Sequence, residues 1–198
     1  MPRVSQEHRD QRREQILNAA TRCMAREGFH RTSMATIIAE SGLSAGAIYG
    51  YFKSKNEIIA AIAHRAVQHV RATFVPFLEA PEPVPLSDVV ATVLDQVTAF
   101  QESGAVDVGR IAVQAWSEAL RDESVREIVG ERYREVRRDL AEITARAQSA
   151  GYVDPEADPA VVAQVVYSLF PGFIMQRLVL GDVDPKAWGD ALRGLGVD

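Results

Sequence analysis

Cysteine is almost absent from the sequence. Cys23 is the single thiol in 198 residues, so no disulfide can close within the chain and a cysteine-based metal site is not expected. Long apolar runs are missing too. No stretch approaches the roughly 18 uninterrupted apolar residues of a membrane span. The segment Met1 to Glu14 is charged and has no apolar h-region, so it does not read as a signal peptide. Strand-type alternation, internal repeats and low-complexity tracts are absent as well. These absences lead to the expectation of an all-α, cytoplasmic protein without membrane association, metal or cofactor.

What is present is apolar enough to fold, with 47% hydrophobic residues. Charge is unevenly spread. Residues 1–55 carry nine Lys and Arg against five acids, a net +4, and the total of −5 leaves −9 for the remainder. A basic head on an acidic body is the footprint of a protein that turns one end toward a polyanion.

Helical periodicity organises the chain. Ile16, Ala19, Ala20, Cys23 and Met24 form one apolar stripe over about Glu7 to Glu27, and Gly28 stands where a helix C-cap belongs. Thr32 or Ser33 caps a second helix whose stripe is Met34, Ile37 and Ile38. Ser41-Gly42 ends it, and a short helix follows over about Ala45 to Tyr51. Ser54-Lys55-Asn56-Glu57 is an S-x-x-E capping box opening a longer helix that ends in a proline-rich link, Pro76 to Pro85. Further helices are expected over Ser87–Ser103, Asp107–Arg121 and Ser124–Ala150. Asp158-Pro159 starts an apolar helix to about Leu180, and Asp184-Pro185 starts a last short one. The expected architecture is about nine helices. A three-helix DNA-reading head over residues 1–53 would precede a helical sensing and dimerisation body over 54–198.

Residues 32–52 hold the decisive arrangement: a short helix, a Ser41-Gly42-Leu43-Ser44 turn and a second short helix, a helix-turn-helix. The second helix begins with Ser44, Ala45, Gly46 and Ala47, small enough to let its backbone approach DNA. Tyr49, Tyr51, Lys53 and Lys55 offer hydroxyl donors and cations for phosphates, while Ile48 and Phe52 belong to the packed face.

Gly28-Phe29, Thr32-Ser33-Met34, Ile37-Ile38-Ala39, Ser41-Gly42-Leu43-Ser44, Gly46-Ala47-Ile48-Tyr49 and Tyr51-Phe52-Lys53-Ser54-Lys55 together resemble the DNA-binding signature of the tetracycline-repressor (TetR) family over about residues 10–58. The resemblance implies a homodimeric, non-enzymatic regulator, most simply a repressor. It would release a palindromic operator when a small molecule binds the C-terminal body. By position, Thr32 and Ser33 would touch a phosphate and Ser44, Ala45, Gly46 and Ala47 would face base edges. Tyr49 and Tyr51 would bond phosphates, and Lys55, at the start of the fourth helix, would be another phosphate contact. Two positions depart from the family pattern. Ala45 stands where a polar or basic residue is frequent, and Gly50 where a larger one is usual. Both remove donors, which shifts the expected readout toward thymine methyls and DNA shape.

Rival chemistry is weak. Gly42-Leu43-Ser44-Ala45-Gly46 spells the G-x-S-x-G nucleophile elbow, but that motif needs a preceding strand, and a helix is expected there. Glu27-Gly28-Phe29-His30 matches a di-iron ligand pair in one copy across a helix end, and His64 and His69 are spaced off a common face. A helical scaffold without operator function is the other alternative, kept open by Ala45 and Gly50. In the body, the helix from Pro159 is apolar around most of its circumference and must bury two faces. Val166, Phe173, Ile174, Arg177, Leu178 and, from the last helix, Trp188 are the expected dimer contacts. Pro171 frees the carbonyl of Tyr167. Phe74, Phe100, Gln114, Trp116, Tyr133, Tyr167 and Phe170 are the expected walls of a ligand pocket.

Overall fold

A computed structural model describes residues 6–102 and 108–196. Its helices are α1 (Gln6–Glu27), α2 (Met34–Ser41), α3 (Ala45–Tyr51), α4 (Lys55–Glu79), α5 (Leu86–Glu102), α6 (Val108–Ala119), α7 (Glu123–Ser149), α8 (Pro159–Val179) and α9 (Pro185–Gly194). The described residues contain no strand. The chain divides into two compact units, residues 1–65 with 105–129, and residues 66–104 with 130–198. The first therefore takes in the start of α4, all of α6 and the first turns of α7.

In the first unit, the α1 stripe of Ile16, Leu17, Ala20 and Met24 is fully buried. It shares one core with Ile37, Ile48, Phe52, Ile58, Ile59, Ile62, Ile111 and Val125. Each large aliphatic side chain so buried contributes about 1.5–3 kcal/mol. Gly28 takes φ +84°, and its N–H closes on the Met24 carbonyl at 2.8 Å, the expected left-handed stop. Ser33, not Thr32, caps α2, accepting from the Thr36 N–H at 3.1 Å. The capping box at α4 differs from expectation in one bond. Ser54 Oγ accepts from the Glu57 N–H at 3.2 Å, but Glu57 reaches one residue further back, to the Lys53 N–H at 2.7 Å.

In the second unit, Phe74, Leu86, Val89, Val90, Leu94, Leu140 and Phe173 are among the most deeply buried side chains. Contrary to expectation, α4 does not stop at the proline-rich link but runs through Pro76 to Glu79. Ala72, whose carbonyl loses its i+4 donor, is exposed, as is Pro76, so water can satisfy that group. Phe74, Phe77 and Leu78 hold the last turns on the core. α9 lies against α5 with Gly189 at the closest approach.

α8 is by length and composition apolar enough to cross a membrane. A search for uninterrupted runs misses this, because Gln164 and Ser168 break the run. Ala163, Val166, Phe170 and Phe173 of this helix are buried in the core of their own unit. That corrects the expectation for Val166 and Phe173: at 3% and 1% exposure within a single chain, neither has surface left for a second subunit. Trp188 is half-buried and stacks edge-on with Phe173 at 5.1 Å. Arg177 is half-buried in an ion pair with Glu102 at 2.6 Å, and Ile174 and Leu178 are half-buried.

Candidate nucleic-acid interface

The helix-turn-helix is set by three local devices. Gly42 ends α2 at φ +68°, a left-handed position that a side chain would strain. The Ser41 hydroxyl donates to the Ile38 carbonyl and accepts from the Leu43 N–H at 3.1 Å, fixing the turn. Ser44 caps α3, its hydroxyl accepting from the Ala47 N–H at 3.2 Å. Across the motif, Gln15 of α1 donates to the Ser41 carbonyl at 2.8 Å, and Arg22 and Arg26 of α1 both pair with Glu40 of α2. The Glu40 carboxyl is held below its ordinary range, chiefly by the Arg22 hydrogen bond.

One face of α3 is buried through Ile48, with Phe52 beneath the helix end under the Arg13 guanidinium, 5.5 Å from the ring centre. The other face is open: Ser44, Ala45, Gly46, Ala47, Tyr49 and Gly50 are all exposed. A side chain at Gly46 or Gly50 would meet nothing within 4 Å. Internal packing therefore demands neither glycine.

The remaining predicted residues separate. Ser33 is exposed beside the start of α2, whereas Thr32 is only 1% exposed, with its hydroxyl donated to the Gly28 carbonyl. That side chain serves the turn and presents nothing to solvent. Tyr51 is half-buried against the core. The Lys53 ammonium donates to the Tyr49 carbonyl at 2.7 Å and remains exposed, and the Lys55 ammonium donates to the Phe29 carbonyl at 2.9 Å. These lysines thus brace the recognition helix and the first turn while keeping their charge near the exposed face.

Sequence reasoning missed the clamps behind this face, because their partners lie far apart in sequence. Arg65 of α4 donates to Glu14 at 2.6 Å and to Asn18 at 2.8 Å on α1. Asn56 donates to Ser124 at 2.7 Å, and Ser124 in turn donates to Asp122, which caps α7. Cys23 is buried, its thiol pushed up by desolvation, with Thr36 O as a long acceptor. It is core, as its stripe implied.

Of the predicted pocket residues, Tyr133 and Tyr167 meet edge-on at 4.8 Å and Tyr167 and Phe170 at 6.2 Å, all in the second unit. Burial pushes the Tyr167 phenol far above its ordinary range. Phe74 is fully buried core of that unit. Gln114 and Trp116 lie half-buried in the first unit, and the side chain of Phe100 lies outside the described residues.

Two family models match this chain. "Bacterial regulatory proteins, tetR family" matches residues 16–62, and "BetI-type transcriptional repressor, C-terminal" matches residues 86–193, more than half of the chain. The transcriptional regulator YfiR of Bacillus subtilis is 25% identical over 89% of this chain and 85% of its own length. Among solved structures, GusR of Salmonella enterica superposes with a TM-score of 0.77 at 24% identity, covering 98% of this chain and 97% of GusR. SmeT in complex with triclosan superposes with a TM-score of 0.74 at 23% identity, covering 93% and 89%; SmeT represses the multidrug efflux pump SmeDEF of Stenotrophomonas maltophilia. At these identities the structural likenesses are likenesses of fold. The family assignment rests on the two sequence models, which between them cover the helix-turn-helix and most of the body, and the chain belongs to the tetR family of bacterial transcriptional regulators.

Proposed function

We propose that this regulator, a DNA-binding protein and not an enzyme, is a cytoplasmic homodimeric repressor that leaves a palindromic operator when a small molecule binds its body. The observation that carries the reading is the open face of α3, where small residues and Tyr49 stand free in front of the buried Ile48. Two copies of α3 would enter successive major grooves, with half-sites about 34–36 Å apart or at another spacing fixed by the dimer. Ser33, Tyr49, Tyr51, Lys53 and Lys55 would take phosphate oxygens, which positions the protein, while Ala45, Gly46, Ala47 and Gly50 read thymine methyls and groove shape. The Thr32 role is indirect: its hydroxyl holds the turn that carries Ser33.

Dimerisation is assigned to the outer face of α8. Val161, Val165, Met175 and Val179 are 53%, 64%, 42% and 69% exposed and follow one helical stripe. Leu178 and the Trp188 edge would flank it, whereas Ile174 stands on the other side of the helix. The effector is assigned to the Tyr133, Tyr167 and Phe170 cluster, where aromatic walls meet two phenols and a proline-freed carbonyl; the triclosan complex of SmeT shows a similar fold with an aromatic ligand. We place the functional border at the start of α4, residues 1–53 reading DNA and 54–198 sensing and pairing. Titrating selected DNA against scrambled DNA at fixed salt tests the reading, and a preference of about a thousandfold is expected.

A further inference from the structure

α4 passes from one compact unit to the other between Arg65 and Ala66, and an arginine grips a different neighbour on either side of that border. Arg65 holds α1 of the head, as described above. Arg71, in the second unit, reaches α7, where two carboxylates stand one helical turn apart, Glu135 and Asp139. Its Nε lies 2.5 Å from Asp139 Oδ2 and its Nη2 3.1 Å from Asp139 Oδ1, a two-bond grip. Its Nη1 lies 4.0 Å from Glu135 Oε2, too far for a hydrogen bond. Glu135 Oε1 accepts from Arg132 at 2.7 Å. Glu135 Oε2 is buried and accepts no hydrogen bond among the described residues. The Glu135 and Asp139 side chains are only 14% and 13% exposed.

A buried carboxylate oxygen without a donor is costly; Arg132 serves only Oε1, and the Arg71 guanidinium is committed to the next carboxylate along. A shift of about 1 Å would bring Arg71 Nη1 from 4.0 Å to hydrogen-bonding distance of Glu135 Oε2. Packed helices with two discrete pairings are the elements through which small ligand-induced movements become switches. We propose that Arg71 is a two-position latch between α4 and α7: seated on Asp139 it holds α4 in the operator-binding setting, and seated on Glu135 it holds the released one. The regulatory half rests on the DNA-binding reading above; the two-seat geometry does not. Arg71 is here a positioning residue, acting on the head only through α4.

The seats are tested first without DNA, by thermal unfolding of the full chain. In the wild-type background Glu135→Gln costs only what its pair with Arg132 contributes, since Oε2 has no donor to lose. In the Asp139→Asn background Arg71 moves to Glu135, so the same substitution lowers Tm by about 2–4 °C more than it does in the wild-type background. Equal effects in the two backgrounds overturn the latch. Titration of operator selected from a random DNA pool then tests the regulation. Asp139→Asn should weaken binding about fivefold or more and Glu135→Gln should leave it equal or tighter. The same direction for both, or no change for either, overturns the regulatory role even if the two seats exist. If the wild type selects no DNA, the operator reading fails by itself, while the unfolding comparison still decides the two seats.

Discussion

A methyl carbon added to Gly189 on α9 would stand 2.5 Å from Ala91 Cβ on α5, closer than two such carbons approach in folded proteins. Both helices seal the core around Val90, Leu94 and Leu192. Gly→Ala in a helix interior ordinarily stabilises by about 1 kcal/mol. At Gly189 the overpacking cost of about 1–3 kcal/mol should reverse that sign. Gly189→Ala is expected to lower Tm by several degrees, whereas Gly130→Ala, where the added carbon meets only the end of the Arg134 side chain at 3.5 Å, should raise it. Differential scanning calorimetry of the two variants checks both signs.

Gly50 makes the opposite case. Space around it is open and its backbone is helical, so Gly50→Ala should strengthen α3 by about 1 kcal/mol. If this face lies against DNA, the same methyl displaces the duplex. Operator affinity should then fall about tenfold, equivalent to about 1.4 kcal/mol. A more stable protein that binds as well as before would show that position 50 does not face the groove.

Charged and uncharged phosphate contacts should part in the salt dependence of binding, and turn residues from both in affinity. Lys53→Ala removes a cation from the exposed face and should reduce the slope of log K against log salt by about one. Tyr49→Phe should weaken binding with the slope intact. Thr32→Val should cost about 1 kcal/mol of stability through the lost bond to Gly28 and leave the slope unchanged. A loss of operator affinity for Thr32→Val as large as that for Tyr49→Phe would restore a direct phosphate role.

Acid should loosen the first unit at two places. The Asp122 carboxyl is lowered chiefly by the Ser124 hydroxyl, and that of Glu40 chiefly by Arg22. A depressed carboxyl contributes stability above its unfolded pKa and loses it as pH falls through the folded one. Stability against denaturant should therefore be flat in these two groups down to about pH 5 and decline below about pH 4. The deficit of Asp122→Asn relative to wild type should shrink over that fall. A constant deficit would mean that the cap acts without its charge.

Much of this molecule is written locally, and that part is legible in the sequence. Gly28, Gly42, Ser44, Asp158 and Asp184 mark helix ends because each acts on backbone groups within a few residues. The recognition helix is legible for the same reason, through the buried Ile48 and the small residues opposite it. What could not be read depends on distant partners. Pro76 looks like a terminator until Phe77 and Leu78 are seen to hold the turn on the core. The apolar residues of α8 could not be divided by pattern alone, since both faces are apolar. Val166 and Phe173 face inward, while Val165 and Val179 carry the outer stripe. The Arg65 and Arg71 grips join residues 44 or more positions apart, beyond any periodic signal.

The central claim is that the open face of α3 reads a specific two-fold DNA site. Selection of bound sequences from a random pool, followed by titration of the winner against scrambled DNA at fixed salt, tests it most directly. The account predicts a palindrome bound about a thousandfold or more tighter than scrambled DNA, with thymine-rich half-sites at a fixed spacing. Weak binding that salt abolishes, with no enriched sequence, would contradict it.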